Sequence, residues 1–443
     1  MNDSDTADRV PLRRIASLAL PALVVLAAEP IYVLVDTAVV GHLGRVPLAA
    51  LGIGGTVMSF AAWLGTVMAY GTTGRSARRY GAGDRRAAVE EGVQASWLAL
   101  LIGLAIIAIV QVVAGPLAHA LAGGPTPVAR NAEEWLRIAV LGAPGLMLVA
   151  AGNGWMRGVQ ETRRPLAIVV AANVVSAVLC PLLVYPAGLG LHGSAVANVV
   201  AQLGSGLLFV VALLRERTPL RPRPAEIVAQ LVVGRDLLIR GAAFQACWLS
   251  ATSVAARYGD AALAAHQIAI QLWFFAALVL DAVAIAAQSL VGAALGAGDE
   301  PQARRLGRQI GLIGLASGVA FAVVFGAGAR VIPALFTPDG AVHDQALVVW
   351  PWFTGLLPLV GVVYALDGVM IGAGDVAFMR NMTIVAALGG FLPGIWVTYA
   401  LDLGLGGVWS GLALFTLIRL VALLWRIRTP SWSLTGATRP APH

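Results

Sequence analysis

Stretches of about 20 apolar residues recur along the whole chain, separated by short segments that contain Gly, Pro or charged residues. A helix of that length can cross the hydrocarbon core of a bilayer. The pattern predicts twelve spans near residues 12–40, 48–72, 93–114, 135–153, 165–186, 194–214, 237–257, 262–295, 309–329, 346–371, 379–400 and 405–425. We therefore expect an all-α polytopic membrane protein.

The composition supports this fold class. The chain has 443 residues, of which 58% are hydrophobic and 12% charged, and its mean hydropathy of +0.81 lies outside the range of soluble domains. A net charge of +7 would suit nucleic-acid binding in a soluble protein, but Arg in the short loops between spans has a topological explanation. Cys180 and Cys247 lie in apolar spans, so we expect no disulfide, metal site or cofactor.

The distribution of Arg predicts the orientation. The loops and termini on one side of the membrane carry 23 Arg, and those on the other side carry 4. Because cytoplasmic loops retain positive charge, both termini are expected to be cytoplasmic in a multi-pass protein of the cell membrane. The polar N-terminal segment is expected to be retained and not cleaved as a signal peptide.

The two halves of the chain resemble each other. At offsets of 214 or 215 residues, "GRVPLAALGI" from Gly44 matches "GDAALAAHQI" from Gly259, and "MRGVQE" from Met156 matches "MIGAGD" from Met370. "YGAGD" at 80–84 matches "LGAGD" at 295–299, Pro144 matches Pro358, and "GLHG" at 190 matches "GLGG" at 404. The matches predict two parallel six-helix repeats that form two lobes. The expected divisions are an N-lobe at 1–214, a cytoplasmic linker at 215–236, a C-lobe at 237–428 and a tail at 429–443.

The first span, "PALVVLAAEPIYVLVDTAVVG", carries Glu29 and Asp36 at membrane depth, where a carboxylate is costly and usually faces an ion or substrate path. The two acids lie two helical turns apart on one face, about 10 Å along the axis, with Tyr32 between them. Pro21 and Pro30 are expected to kink the helix and free backbone carbonyls. The alternative is that both acids are structural and held by Arg, Tyr or Asn.

The duplication tests whether the fold itself requires the acids. Glu29, Asp36, Asp281 and Asp367 correspond in the other repeat to Phe244, Ala251, Thr66 and Asn153. Each helix therefore also forms without its acid. Asp36 is the strongest candidate for proton exchange, because a carboxyl group in a low dielectric can adopt its neutral form and compete with a cationic substrate for one charge.

The second half offers three further candidates. Asp281 lies near the centre of the eighth span and suits a second protonation or cation site. Asp367, in the tenth span, is either such a site or a solvated acid near its helix end. His266 can titrate near neutral pH, but a lone His in this position can equally be structural.

Polar residues within the spans complete the candidate set. Asn173, Asn198 and Gln202 could hydrogen-bond the first helix or a substrate, or could join helices to one another. Arg240 and Arg419 lie near the cytoplasmic ends of their spans, where we expect their side chains to snorkel to the interface.

Motifs for enzymatic chemistry are missing from the sequence. There is no Walker loop, no metal-binding cluster and no catalytic triad, and "GAGD" at 81–84 and 296–299 is interpreted as a loop turn. We therefore expect a transporter and not an enzyme, with an ion gradient as the simplest energy source.

The segments "PALVVLAAEPIYVLVDTAVVGHLG" and "RGVQETRRP" resemble the multidrug and toxic compound extrusion (MATE) family, and "LAAHQIAIQLWFFAALVLDAVAIAAQSLVGAALGAGD" resembles its DinF branch. The resemblance covers about residues 12–428. It implies two lobes and export of organic cations or amphipathic compounds in exchange for H+ or Na+. Pro21 and Asp36 match the first-helix Pro and Asp whose protonation is proposed to bend the helix.

The resemblance also raises the question of Na+. Some relatives bind Na+ through a Glu on the seventh helix and an Asp on the tenth; Asp367 matches the Asp, but the seventh span has no such acid. The acid found on the fifth helix of some members is likewise absent, because Asn173 is followed one turn later by Ala177.

Together these features predict a proton-coupled efflux antiporter that works by alternating access, with Asp36 as the central site and small amphipathic or cationic molecules as substrates. Duplication within one chain makes a monomer sufficient. The alternative is a flippase for a lipid-linked or amphipathic precursor, which is expected to carry cationic residues inside its cavity.

Overall fold

The predicted apolar spans all form helices in the computed structural model, which describes residues 11–439. The predicted N-terminal segment up to residue 10 and the last four residues of the predicted tail lie outside the described residues. The helices are α1 (Leu12–Gly41), α2 (Arg45–Gly81), α3 (Arg85–Leu121), α4 (Pro127–Ala139), α5 (Ala143–Gly158), α6 (Arg163–Val184), α7 (Leu191–Arg215), α8 (Pro224–Ala255), α9 (Asp260–Gly296), α10 (Glu300–Ala327), α11 (Ile332–Phe336), α12 (Gly340–Gly372), α13 (Val376–Ala386), α14 (Leu392–Ala400) and α15 (Gly404–Arg428).

Two of the predicted spans are built from two helices each. A 3₁₀ turn at Val140–Gly142 joins α4 to α5, and a π-helical turn at Ala387–Phe391 joins α13 to α14. Counted this way, residues 11–439 contain eleven helical segments long and apolar enough to cross a membrane. With α8 they make twelve long segments, which confirms the predicted all-α polytopic architecture.

Helix α8, the long segment that is not among the eleven, begins earlier than predicted. The expected start was residue 237, but the helix runs from Pro224. Pro at the start of a helix leaves no hydrogen bond unmade. The sequence prediction placed the first turns of α8 in the linker because Arg235 and Asp236 separate them from the apolar stretch that follows.

The chain divides into two compact units. The first unit comprises residues 20–232, and the second comprises residues 233–439 together with 11–19. Helices α1 and α8 therefore each contribute residues to both units. Trp135, Trp155 and Phe209 are fully packed in the first unit, and Phe353 and Trp409 in the second.

Left-handed backbone positions recur at the offsets of the repeated sequence. A residue with positive φ begins or ends a helix at equivalent points of both halves, in the pairs Gly44 (117°) and Gly259 (97°), Gly83 (83°) and Gly298 (80°), Gln160 (61°) and Gly374 (71°), Gly188 (68°) and Asp402 (50°), and Gly190 (54°) and Gly404 (65°). Because few residue types adopt such φ values easily, their agreement is independent support for the duplication.

The two "GAGD" segments are turns, as predicted. Asp84 and Asp299 each follow a left-handed Gly and cap the next helix, accepting hydrogen bonds from the backbone N–H of Ala87 and Gln302, both at 2.8 Å. A side-chain cap of this kind satisfies one of the free donors at a helix N-terminus.

The matched prolines of the two repeats lie at close helix crossings. A Cβ atom on Gly103 of α3 would come within 2.5 Å of the Cα atom of Pro144, and one on Gly318 of α10 within 2.8 Å of the Cα atom of Pro358. Small residues allow helix backbones to approach this closely. The same crossing is thus built twice, by α3 with α5 and by α10 with α12.

Candidate functional site

A cavity of about 170 Å³ lies within the first unit, between α1, α2, α5, α6 and α7. Much of its wall is apolar, and each of the five helices also contributes polar groups to it. The polar lining residues are Glu29, Tyr32, Thr66, Asn153, Arg157, Asn173, Ser176, Asn198, Gln202 and Ser205. An apolar cleft with a few convergent polar groups is the usual form of a small-molecule site.

Five of the predicted site residues meet at this cavity. Glu29 and Tyr32 come from α1, Asn173 from α6, and Asn198 and Gln202 from α7. Glu29 is exposed. These five residues are far apart in the sequence but form one wall, because α1, α6 and α7 all border the cavity.

Asp36 lies one turn beyond Tyr32 and is buried, with 4% of its surface exposed. The Cys180 thiol of α6 donates a hydrogen bond to Asp36 Oδ1 at 3.2 Å. The hydroxyl groups of Tyr32 and Ser194 also lie near the carboxylate. All three of these groups are neutral, in contrast to the Arg partners considered as an alternative.

A second layer of donors positions these groups. Asn198 Nδ2 donates to the Tyr32 hydroxyl oxygen at 3.1 Å, and Trp135 Nε1 donates to Ser194 Oγ at 3.2 Å. Each hydroxyl group accepts one hydrogen bond and keeps its own proton to donate. Asn198 thus positions the Tyr32 hydroxyl group at the cavity wall, and Trp135 positions the Ser194 hydroxyl group.

The amides of the cavity differ in their roles. Asn173 Nδ2 donates to the backbone oxygen of Val169 on its own helix at 2.8 Å and not to α1. The side-chain oxygens of Asn153 and Asn198 are buried and have no hydrogen-bond partner among the described residues. Such groups need partners, so a donor on a substrate or a water molecule is their natural complement.

Pro21 and Pro30 both lie inside α1, which remains helical from Leu12 to Gly41. Proline has no N–H group, so Pro30 cannot bond the carbonyl of Leu26 four residues earlier. Leu26 is part of the cavity wall. The expected free carbonyl is therefore located beside the cavity.

Arg157 is a lining residue that the sequence analysis missed. It was counted as a loop residue, but α5 continues to Gly158 and Arg157 is only 5% exposed. The repeat contained a signal that Arg157 is not in a loop. Because Met156 matches Met370, Arg157 corresponds in the other repeat to Ile371, which is apolar and buried.

Asp367 lies in the second unit and is buried, in contrast to the interpretation that it is a solvated acid near its helix end. It is 7% exposed, and its Oδ2 atom accepts hydrogen bonds from Arg240 and from Arg419, the latter at 2.5 Å. Arg419 is 4% exposed. The prediction that both Arg side chains snorkel to the interface is wrong, because a buried carboxylate holds them inside.

The remaining two candidates lie at different places in the second unit. Asp281 is half-buried on α9 and lies within electrostatic range of Tyr364, close to the Asp367 cluster. His266 is fully buried, and its ring meets Trp409 edge to face with centroids 5.9 Å apart. The structure thus puts His266 in an aromatic core.

Comparisons with known proteins agree with the fold. The family model MatE matches residues 21–182 and 239–396. The chain is 32% identical to Protein DETOXIFICATION 44, chloroplastic, of Arabidopsis thaliana, covering 97% of this chain and 85% of that protein. It is 33% identical to DNA damage-inducible protein F of Escherichia coli K12, covering 92% and 91%. A crystal structure of MATE in the bent conformation has a TM-score of 0.87 at 23% identity, covering 94% and 95%.

Proposed function

This chain belongs to the MatE family of multidrug and toxic compound extrusion transporters, and on that premise we propose that it is a secondary antiporter exporting organic cations or amphipathic compounds in exchange for protons. The observation that carries the proposal is the buried Asp36, held by neutral donors next to a cavity that suits an amphipathic molecule.

Neutral donors allow Asp36 to change its charge. A carboxylate paired with Arg keeps its charge, because losing it would leave a buried cation unpaired. Thiol and hydroxyl groups impose no such penalty, so Asp36 can hold a proton or release it to water in the cavity. The Tyr32 hydroxyl group accepts a hydrogen bond from Asn198 and lies near Asp36, so a substrate at the cavity wall would influence that choice through Tyr32.

The two units supply the moving parts of alternating access in this proposal. The lobes would correspond to residues 1–214 and 237–428, joined through 215–236, with the tail at 429–443. Transporters built from parallel repeats work by rocking one repeat against the other. The excess of Arg on one side supports a cell-membrane protein with both termini cytoplasmic.

The test compares wild type with Asp36→Asn in the uptake of a fluorescent organic cation by everted membrane vesicles, under separately imposed H+ and Na+ gradients. We expect uptake driven by the proton gradient, falling to the level of empty vesicles in Asp36→Asn. Asp402→Asn is the matched control, because Asp402 is exposed and its positive φ suits Asn.

Uptake by Asp36→Asn at the wild-type rate, at equal protein level, would mean that this acid is structural and that the proposal is wrong. Uptake driven by Na+ alone would contradict the choice of ion.

A flippase for a lipid-linked or amphipathic precursor is the second candidate, and Arg157 is the observation that favours it. A guanidinium group in the cavity wall suits an anionic group such as phosphate. Reconstituted vesicles with a fluorescent anionic lipid separate the two proposals: flipping without uptake of the cation would support the flippase.

A further inference from the structure

A buried and a partly buried Arg side chain converge on one carboxylate oxygen in the second unit. Arg240 from α8 and Arg419 from α15 both donate through Nη2 to Oδ2 of Asp367 on α12. Three helices that are far apart in the sequence are joined at this point. Taken alone, the three residues carry one excess positive charge.

Asp281 brings the charge of the region to zero. Tyr364, one turn before Asp367 on α12, lies within electrostatic range of both acids and both Arg residues. The surroundings of Tyr364 therefore contain two carboxylates and two guanidinium groups. No uncompensated negative charge remains there to attract a cation from solution.

An aromatic pair holds the guanidinium groups in place. The Phe244 ring lies 5.2 Å from the guanidinium carbon of Arg240 and 4.6 Å from that of Arg419, and the Phe415 ring lies 5.6 Å from that of Arg419. Contact with the face of a ring stabilises a cation away from water. Both Arg side chains are thus stabilised by ring contacts within the second unit.

The other carboxylate oxygen of Asp367 is where the two Arg side chains would exclude a small cation. Asp367 Oδ1 is buried and has no hydrogen-bond partner among the described residues, so it is the atom a small cation would ligate. Two guanidinium groups on the neighbouring oxygen would repel that cation, and repulsion is strong where the dielectric constant is low.

We propose that Arg240 and Arg419 are tethered cations that occupy the place of a soluble cation at Asp367, so that the second unit binds no Na+. They would be ion-specificity residues, leaving the first unit to exchange a charge with solution. The consequence for ion coupling rests on the proposed function. Binding of a cation to the second unit, however, is measured without transport.

The proposal predicts that removing one tethered cation creates a cation site. Arg419→Gln leaves the cluster with one excess negative charge and an open space beside Asp367. Na+ should then bind, and a ligand that binds only the folded state raises the unfolding temperature with its concentration. The double variant Arg419→Gln/Asp367→Asn restores the charge balance and is the matched control.

The experiment measures thermal unfolding of the purified protein in detergent as NaCl replaces N-methyl-D-glucamine chloride at constant ionic strength. We expect no Na+-dependent shift for wild type, a rise of about 2–4 °C for Arg419→Gln, and no shift for the double variant. Arg240→Gln should behave like Arg419→Gln and serves if Arg419→Gln does not fold.

Two results would overturn the proposal. One is a Na+-specific rise in wild type that disappears in Asp367→Asn, since Asp367 would then bind Na+ despite its Arg partners. The other is a folded Arg variant that shows no response to Na+. Neither result depends on Asp36→Asn, so failure of this inference and failure of the proposed antiport are distinguishable.

Discussion

Two buried acids in this protein show how partners decide what a carboxylate can do. Asp36 accepts a hydrogen bond from a neutral thiol, whereas Asp367 accepts hydrogen bonds from two Arg side chains, although both acids are less than 10% exposed. Removing one partner from a buried ion pair typically costs about 3–5 kcal/mol, while a neutral hydrogen bond contributes about 1 kcal/mol. Only the acid with neutral partners can change its protonation at low cost.

The first residue-scale prediction concerns Tyr32, whose hydroxyl group accepts a hydrogen bond from Asn198 and lies near Asp36. Tyr32→Phe keeps the ring in the cavity wall and removes this hydroxyl group. We expect cation uptake by everted vesicles to fall by about twofold to tenfold, the range that one hydrogen bond supports.

Tyr185→Phe is the control, because it also removes a hydroxyl group that bonds α1. Tyr185 donates to the Val39 backbone oxygen at 2.7 Å, is 46% exposed, and bonds the backbone of α1 instead of a group in the cavity wall. Equal losses in the two variants would mean that Tyr32 acts only by holding α1 in place.

At the scale of elements, pairs of helices cross with small residues at the contact. The crossing of α3 and α5 at Gly103 and Pro144 recurs in α10 and α12 at Gly318 and Pro358. Association of helices in a membrane depends on close packing, because lipid supplies no hydrophobic driving force between them. The crossing of α3 with α5 therefore positions α5, which carries Asn153 and Arg157 to the cavity.

We predict that Gly103→Ala destabilises the protein by about 1–3 kcal/mol, because the new methyl group would overlap the Pro144 backbone. Thermal unfolding in detergent, followed by circular dichroism, measures the change. Gly204→Ala is the control, since nothing lies within 4 Å of a Cβ atom at that position of α7. A Gly103→Ala protein as stable as wild type would show that α3 and α5 can separate without cost.

At the scale of the whole molecule, the segment after α15 is part of the second unit. The Gly436 N–H group donates to the Leu295 backbone oxygen at the end of α9, and Ser433 Oγ donates to Glu300 at the start of α10. Arg439 donates to Asp375 and to the Ala373 backbone oxygen after α12. The predicted tail thus joins the ends of three helices across the described part of its length.

Trp432 is the apolar anchor of this segment and is fully buried. We predict that Trp432→Ala lowers the free energy of unfolding by about 3–5 kcal/mol, the usual cost of truncating a buried aromatic residue. Trp425→Ala, which truncates a residue that is 59% exposed, should cost far less. Similar midpoints of thermal unfolding for both variants would contradict the anchoring role of Trp432.

Sequence alone determined the features that depend on local pattern. Span length and hydropathy located the long helical segments, and the matched blocks identified the repeat whose turns carry the same left-handed residues. The boundary of α8 was missed for the same reason, because the charged pair Arg235 and Asp236 interrupts its apolar pattern. Glu29, Tyr32 and Asn198 were also found from sequence, since a polar residue in an apolar span usually faces a cavity.

Only the tertiary structure decided which groups meet. Cys180 lies 144 positions from Asp36, and Arg240 lies 127 positions from Asp367. Hydropathy and spacing describe one helix at a time, whereas hydrogen bonds and ion pairs form between helices that pack together only in the folded chain. That is why the sequence located both acids, while the folded structure determined that Asp36 has neutral partners and Asp367 has charged ones.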